Sequence, residues 1–188
     1  MDTRAIRTAI VAPPTIYGAG RGPVNTSSKQ IPALVRFVLA HGYAPVVGEG
    51  KTEWDHVHVR DVSALFVALV DAALDQSKNR DPEVFGGQAY YFCESGSHVW
   101  GEVAVEIGEE AVRQKLLKEV VSRTVKAGEE EEKGGVPEIG QTWGANSKGV
   151  ASRARKYLGW APRGKSFEDE IPEVVELEGK RLGMKSVL

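Results

Sequence analysis

Two histidines and an aspartate come nearest, in type and spacing, to a reactive site in this sequence. His56 and His58 lie two positions apart in a segment with strand character, so both side chains project to one face, and Asp61 follows closely. Two imidazoles and a carboxylate are ligands that zinc or iron accepts. No third strong ligand is spaced to join the histidines. We therefore favour the interpretation in which one histidine packs under the next helix and the other faces a cleft.

A glycine cluster invites a comparison with dinucleotide-binding loops. Gly18, Gly20 and Gly22 follow a short β-branched segment, but their spacing is G-x-G-x-G, not G-x-G-x-x-G. Pro23 and Asn25 also interrupt the position where a helix N-terminus would offer N–H groups to a pyrophosphate. The pattern favours a loop over a ligand.

Nucleophilic hydrolysis has little support, because neither histidine has a serine or cysteine nearby in a triad context. Cys93 lies inside an apolar strand and is predicted to be an inert buried thiol. A single cysteine excludes an internal disulfide and is compatible with a reducing compartment. The N-terminus lacks the apolar core of a signal peptide, since Arg4 and Arg7 interrupt it. We expect a cytoplasmic protein.

Composition sets broad limits on the function. The chain has 188 residues, 41% of them hydrophobic and 27% charged, which is typical of one globular domain. The net charge of −2 gives no field that would attract a nucleic acid, and the longest apolar run is far below the ~20 residues of a membrane helix.

The elements that would carry these residues alternate between strand and helix patterns, which predicts an α/β fold. Strands are predicted at Ala9–Ala12, Pro45–Val47, His56–Val59, Ala89–Cys93 and, weakly, Val120–Val125. Helices are predicted at Gln30–Ala40, from Asp61 onward, at Val99–Lys118, around Val150–Leu158, and after Ser166.

Several helix ends can be assigned from residue types. Gly42 and Gly159 are expected to end their helices. Asp61 is expected to cap the second helix, Asn146 or Ser147 the fourth, and Ser166 with Asp169 the last, which Pro172 should kink or delay. The second helix should bury one face made of Val62, Leu65, Phe66, Leu69, Val70 and Ala73. The acidic stretch 128–135 is predicted to be a solvated loop.

Six segments, in this order along the chain, resemble the C-terminal half of an extended short-chain dehydrogenase/reductase of the NAD-dependent epimerase/dehydratase family. They are Ile10–Gly18 (the R-P-x-x-x-Y-G turn, with Ala12 in place of arginine), Asn25, Gly48–Gly50, Val57–Val62, Tyr90–Phe92 and Ala154–Trp160. The stretch GEGKTEWDHVHV is similar to a fungal-type variant of this family.

The resemblance implies the C-terminal part of a Rossmann-like α/β protein, with the smaller substrate-binding α/β subdomain and without the N-terminal nucleotide-binding half. Residues 1–188 would form one partial domain, in which 8–17 are a remnant Rossmann strand and turn, 18–188 are mainly the substrate-binding subdomain, and 128–140 are a long acidic loop.

The chemistry of the family depends on two features that this sequence lacks. One is the Gly-rich turn that seats the pyrophosphate of NAD or NADP, and no G-x-x-G-x-x-G occurs here. The other is a Tyr-x-x-x-Lys pair, and none of the five tyrosines is followed by lysine at that spacing. We therefore expect no catalytic residue, no bound cofactor and no activity in this chain alone. Because the family consists of NAD(P)-dependent enzymes, the sequence leaves open whether this chain acts as part of an enzyme.

Site residues are implied by the resemblance alone. The segment Pro13, Pro14, Thr15 and Ile16 would lie near the nicotinamide. Asn25, Val47, Trp54 and His56 would border a small-molecule substrate. Family members that hold nucleotide-sugars usually have arginine where this chain has Trp54, and tryptophan forms no bidentate ion pair with phosphate. The expected substrate is a carbonyl or hydroxyl compound that carries less charge than a nucleotide-sugar.

Two other classes of function stay open. The first is a non-catalytic module that binds a ligand or a protein. The second is a metal-binding protein that uses His56, His58 and Asp61. Strand Ala9–Ala12 would expose an apolar edge without its parent sheet, so we expect marginal stability, self-association or a complementing chain.

Overall fold

The computed structural model describes residues 6–126 and 143–187, and within them strands and helices alternate as the sequence predicts. The strands are β1 (Ile10–Ala12), β2 (Thr15–Tyr17), β3 (Ala44–Val47), β4 (Glu53–His58), β5 (Tyr90–Phe92), β6 (Gly96–Val99) and β7 (Ser122–Val125). The helices are α1 (Gln30–His41), α2 (Val59–Leu74), α3 (Trp100–Arg113), α4 (Ser152–Leu158) and α5 (Phe167–Arg181).

These strands form three small sheets. Strand β4 lies at the centre of the largest sheet, parallel to β2 and antiparallel to β6. Strands β1 and β5 form a parallel pair, and so do β3 and β7. The mixture of parallel pairing and interspersed helices confirms the predicted α/β class.

Two hydrophobic cores hold the elements together. The larger core joins α1, α3 and α5 through residues such as Leu34, Ile107 and Ile171. The smaller core lies under α2, β5 and α4 and contains Leu65 and Tyr91. Because side chains of a strand alternate between faces, β4 contributes to both cores.

Helix α1 ends as the sequence predicts. Gly42 has φ 72°, and its N–H donates to the carbonyl of Val38. This left-handed backbone satisfies a terminal carbonyl and suits glycine, which has no Cβ. Gly159 ends α4 with φ 63°.

The predicted cap of α2 is wrong. The N-cap is His58, whose Nδ1 accepts the backbone N–H of Arg60 at 3.1 Å. Asp61 instead accepts N–H groups from Arg163 and Gly164 in the distant segment before α5. Its carboxylate therefore joins two parts of the chain.

The predicted inner face of α2 is also partly wrong. Val62, Leu65, Leu69 and Ala72 are buried, but Phe66, Val70 and Ala73 are exposed. The helix is apolar on nearly all sides, so periodicity alone could not identify the face that packs on the core.

Strand β6 was not predicted, and α3 is shorter than the predicted span. Gly96–Val99 pairs with β4, and the helix begins only at Trp100. Asn146 and Ser147 do not cap a helix, because Asn146 Oδ1 accepts the N–H of Glu53 and the Ser147 backbone bridges to β4. Helix α4 begins later, after Ala151.

The last helix follows its predicted capping box. Ser166 Oγ accepts the N–H of Asp169 at 3.1 Å, and the helix begins at Phe167, so Pro172 does not delay its start. The predicted acidic loop lies outside the described residues. No helix in the described ranges has the length and apolarity needed to cross a membrane.

A buried carboxylate joins α1 to α5 and provides a test of this packing. Glu178 is fully buried and accepts hydrogen bonds from Arg36 at 3.1 Å and from Arg181 at 2.6 Å.

We predict that Glu178→Gln lowers the free energy of unfolding by about 2 kcal/mol, since it leaves two cations without their counter-charge. Urea denaturation measures this loss. Glu176→Gln, which removes an exposed pair with Lys180 on the same helix, should change it by less than about 0.5 kcal/mol. Equal losses in the two variants would contradict this assignment.

Candidate functional site

The structure brings four of the predicted site residues together in one cleft. Pro13, Pro14, Ile16 and Asn25 line a cavity of about 470 Å³ between the β1–β2 turn and the start of α1. We call it the proline cleft. Thr15 does not line this cleft: its side chain is buried, and its hydroxyl has no hydrogen-bond partner among the described residues.

Local sequence explains the shape of the proline cleft. Two consecutive prolines end β1 because they donate no N–H to a ladder. The chain then pairs again in β2 and leaves it at Gly18, where φ is 87°. The N–H of Gly20 donates to the carbonyl of Thr26 at 2.9 Å, which closes a compact loop, and Asn25 Oδ1 accepts the N–H of Ser27 at 3.1 Å. The loop therefore forms one wall of the cleft.

A second cavity of about 380 Å³ lies beside β4, and we call it the histidine cleft. Its lining residues are Tyr17, His56, Asp61, Ser95–Ser97, Pro162 and Gly164–Glu168. None of these residues lines the proline cleft. The predicted substrate residue His56 thus lies in a different cavity from Asn25.

Three aromatic contacts hold the ring of His56. Its Nδ1 is 3.2 Å from Nδ1 of His98, so one imidazole donates and the other accepts. The ring of Phe167 stacks on His56 with centroids 4.6 Å apart, and Tyr17 contacts it edge-on at 5.4 Å. The imidazole is therefore fixed in position by β2, β6 and the first turn of α5.

Burial keeps both histidines of this pair neutral. The pKa of His98 is lowered to about 3, chiefly by desolvation and in addition by the neighbouring His56. Desolvation also lowers the pKa of His56, although Glu168 and Asp55 act against it. At neutral pH the pair acts as hydrogen-bonding groups without charge.

Tyr17 occupies the other side of this cleft. Its hydroxyl donates to the backbone carbonyl of Lys165 at 2.7 Å, and its ring lies between His56 and His58. Burial raises the pKa of Tyr17 to about 12, and Asp61 adds to that effect. The phenol is thus a neutral hydrogen-bonding group.

The metal hypothesis gains no support from these positions. His58 caps α2, and the Asp61 carboxylate is engaged by backbone N–H groups, while His56 bonds to His98. Within the described part of the chain, no three histidine, cysteine or acidic side chains are arranged to hold a metal ion. The geometry matches the interpretation in which one histidine serves a helix and the other faces a cleft.

Val47 and Trp54 lie outside both clefts. Val47 lines a separate cavity with Lys51 and Thr124. Trp54 donates its indole N–H to the carbonyl of Ala145 at 2.7 Å and contacts the ring of Trp100. Neither residue lines the cleft of Asn25 or that of His56.

Sequence reasoning missed His98 and Phe167. The unpredicted strand β6, with Gly96 opposite His56, brings His98 against His56. Phe167 reaches it from the first turn of α5. A search for polar residues at alternate positions before Trp100 could have found His98, but the stacking of Phe167 carried no local signal.

The elements around the proline cleft follow one another in a different order from those of a dinucleotide-binding turn. The strand that leads into the proline cleft, β1, continues through two prolines into β2 and not into a Gly-rich turn and helix. Pro13, Pro14 and Ile16 line the same cleft as Gln30, the first residue of α1.

Comparisons with known proteins support the family resemblance seen in the sequence. Residues 1–84 match the model of the NAD dependent epimerase/dehydratase family. The resemblance seen in the sequence is confirmed. The chain is also 38% identical over 183 residues to the oxidase UcsJ of an Acremonium species, a match that covers 95% of this chain and 52% of that protein.

Solved structures of epimerases and dehydratases share the fold. UDP-glucose 4-epimerase of Thermotoga maritima, solved with UDP-glucose, aligns over 94% of this chain and 47% of its own, with 17% identity and a TM-score of 0.57. The dTDP-glucose 4,6-dehydratase DesIV of Streptomyces venezuelae, solved with NAD and TYD, aligns over 93% and 44%, with 18% identity and a TM-score of 0.57. The chain thus spans about half the length of its epimerase/dehydratase relatives.

The buried histidine pair predicts a pH dependence of stability. Between pH 6.5 and about 3, an unfolded histidine binds a proton that folded His98 does not, so the unfolded state gains protons and stability falls as the pH falls. Each pH unit below 6.5 lowers the free energy of unfolding by about 1.36 kcal/mol, so we expect it to fall by about 2 kcal/mol between pH 7 and pH 5. Urea titrations at several pH values measure it.

A pair of variants assigns this effect. His98→Gln keeps a hydrogen-bonding group but does not titrate, so it should flatten the slope. Ser63→Ala, which removes an exposed hydroxyl on α2 and no titrating group, should leave the slope unchanged. The same slope in His98→Gln as in the unaltered chain would contradict the assignment.

Proposed function

We propose that this chain supplies the substrate-binding part of an NAD(P)-dependent oxidoreductase of the epimerase/dehydratase type, and that it is inactive without a nucleotide-binding part. That part belongs to the same polypeptide or to a second one. The observation that carries the proposal is the two-stranded parallel sheet β1–β5, which the described residues cover on one face only.

The pairing register identifies the uncovered face. Ile10 pairs with Tyr90 and Ala12 with Phe92, so these side chains share one face, and Val11 and Tyr91 share the other. Tyr91 is fully buried, whereas Ile10, Tyr90 and Phe92 are 47%, 52% and 46% exposed. Parallel sheets are ordinarily covered on both faces. We infer that this apolar face, together with the second edge of β1, receives the nucleotide-binding part.

The proline cleft gives the roles of the site residues in this proposal. It opens next to β1, so Pro13–Ile16 would border the nicotinamide of a dinucleotide held by the added part. Asn25, in the same cleft, would contact the substrate, and His56 would contact its far end from the histidine cleft. The positions of Val47 and Trp54 do not support their predicted substrate contacts.

The second candidate is a module that binds a protein without taking part in catalysis, and the exposed apolar face is the observation that favours it. The two candidates differ in whether the complex of this chain with its partner binds a dinucleotide. A catalytic part must gain dinucleotide binding when its partner is added, whereas a simple binding module gains none.

Reconstitution tests the proposal. The part of the Acremonium oxidase that lies outside the match would be co-expressed with this chain, and NADH and NADPH binding would be followed by fluorescence. We predict no saturable binding by the chain alone and saturable binding by the complex. Tight binding of either nucleotide by the chain alone would contradict the proposal, and so would a complex that binds none.

A matched pair of variants tests the docking face. Ile10→Asp places a charge on the exposed side of β1 and should weaken association at least tenfold, since a buried unpaired charge is costly. Leu182→Asp, whose side chain is 44% exposed at the end of α5, should leave association unchanged. Analytical ultracentrifugation measures both, and an equal effect of the two variants would contradict the assigned face.

A further inference from the structure

One face of helix α2 is apolar and is not covered by the described residues. Phe66, Val67, Val70 and Leu74 lie on it, and their exposed fractions run from 53% at Phe66 to 77% at Leu74. With about 3.6 residues in each turn, these four side chains and Ser63 share an arc of about 100°. We call these five residues the α2 stripe. A helix that is apolar on nearly all sides is ordinarily buried on all sides, so the stripe is expected to have a partner.

The spacing of the α2 stripe suits a second helix. From Ser63 to Phe66, and from there to Val70 and Leu74, the steps are three or four residues, which form the ridges that pack one helix along another. The hydroxyl of Ser63 donates to the carbonyl of Val59 at 3.0 Å, so it needs no partner from outside the helix. The stripe therefore offers apolar contact along about three turns.

The α2 stripe lies on the flank of the helix that faces away from the segment between α4 and α5. That segment contacts α2 at Asp61, whose carbonyl accepts the indole N–H of Trp160 at 2.8 Å and whose carboxylate accepts the N–H of Gly164. Phe66 lies about 140° around the helix from Asp61. Val59, in line with the stripe one turn before Ser63, lines the proline cleft. The stripe therefore extends from the cleft to which the proposed function assigns the nicotinamide.

The sheet topology indicates which element would lie beside the stripe. Helix α2 lies between β1 and β5 in the chain, and its Leu65 and Leu69 share a core with Tyr91 of that sheet. Crossovers between parallel strands are right-handed, so helices that join successive strands in one direction lie on the same face of the sheet. A strand of the nucleotide-binding part that pairs with the free edge of β1 and crosses over to it would therefore place its helix beside α2.

We propose that the α2 stripe binds a helix of the nucleotide-binding part through an apolar face of that helix. About half of each relative lies outside the match, which is long enough to supply it. Exposed Arg60 and Asp71 border the stripe on one side, as the polar rim of a protein–protein contact does. The inference rests on the proposed function, since its partner is the nucleotide-binding part. It adds a contact on the side of the β1–β5 sheet opposite to the uncovered face.

Two charge substitutions on the same helix test the inference. Phe66→Asp should weaken association with the part of the Acremonium oxidase outside the match by about tenfold or more, since a buried unpaired charge is costly. Ala64→Asp, on the exposed flank outside the stripe, is the matched control and should associate normally. Analytical ultracentrifugation measures association, and circular dichroism checks that each variant is folded. Normal association of folded Phe66→Asp, or an equal loss in both variants, would overturn the inference.

Thiol labelling gives a readout that does not depend on weakened association. The single cysteine, Cys93, is buried, so a cysteine placed on the surface of α2 is the thiol of this chain that reacts with N-ethylmaleimide. Val70→Cys should react at least tenfold more slowly in the complex than in the chain alone, because the reaction needs access to the thiol. Ala64→Cys should react at the same rate in both, and the mass of this chain records the labelling. An unchanged rate for Val70→Cys in an assembled complex would overturn the inference.

Self-association and dinucleotide binding separate the remaining outcomes. If a second copy of this chain occupies the stripe, Phe66→Asp abolishes dimers of the chain alone and leaves the complex intact, which overturns the inference. A complex that binds NADH or NADPH and tolerates Phe66→Asp overturns the α2 contact and keeps the proposed function. A complex that Phe66→Asp disrupts, but that binds neither nucleotide, overturns the proposed function and keeps the helix contact.

Discussion

The alternation of side chains along strand β4 is the constraint on which the rest of the structure depends. Trp54, His56 and His58 face the aromatic side of the strand, and Asp55 and Val57 face the other side. Asp55 accepts the N–H of Gly149 at 2.6 Å and the hydroxyl of Ser97 at 2.7 Å, so even its polar side chain joins distant segments. A shift of one residue in β4 would exchange these two sets and disrupt both cores.

The position of β4 also determines where the clefts form. Strand β2 on one edge presents Tyr17 beside His56, and β6 on the other edge presents His98. The proline cleft lies where β1 passes into β2, next to the uncovered face of the small sheet. The chain thus supplies walls for two cavities, and the exposed face of the β1–β5 sheet is the surface to which the proposal assigns a nucleotide-binding part.

Much of the fold follows from local sequence patterns. The span of α1, its end at Gly42 and the capping box at Ser166 each depend on a few neighbouring residues, and the structure confirms them. The cap of α2 and the pairing of β6 depend on distant partners. Asp61 looked like a helix cap because its partners, Arg163 and Gly164, lie about a hundred residues away. The family resemblance and the α/β class could be inferred from the order of motifs and elements, but the separation of Asn25 and His56 into two clefts could not.

Hydrogen exchange at β1 tests the central claim most directly. Amide exchange of Ile10–Ala12 would be compared in this chain alone and in its complex with the part of the Acremonium oxidase outside the match. If a nucleotide-binding part completes the sheet, these amides become strongly protected in the complex, while the amides of the exposed turn at Glu49 and Lys51 do not change. Unchanged exchange at Ile10–Ala12 in a complex that has formed would contradict the account.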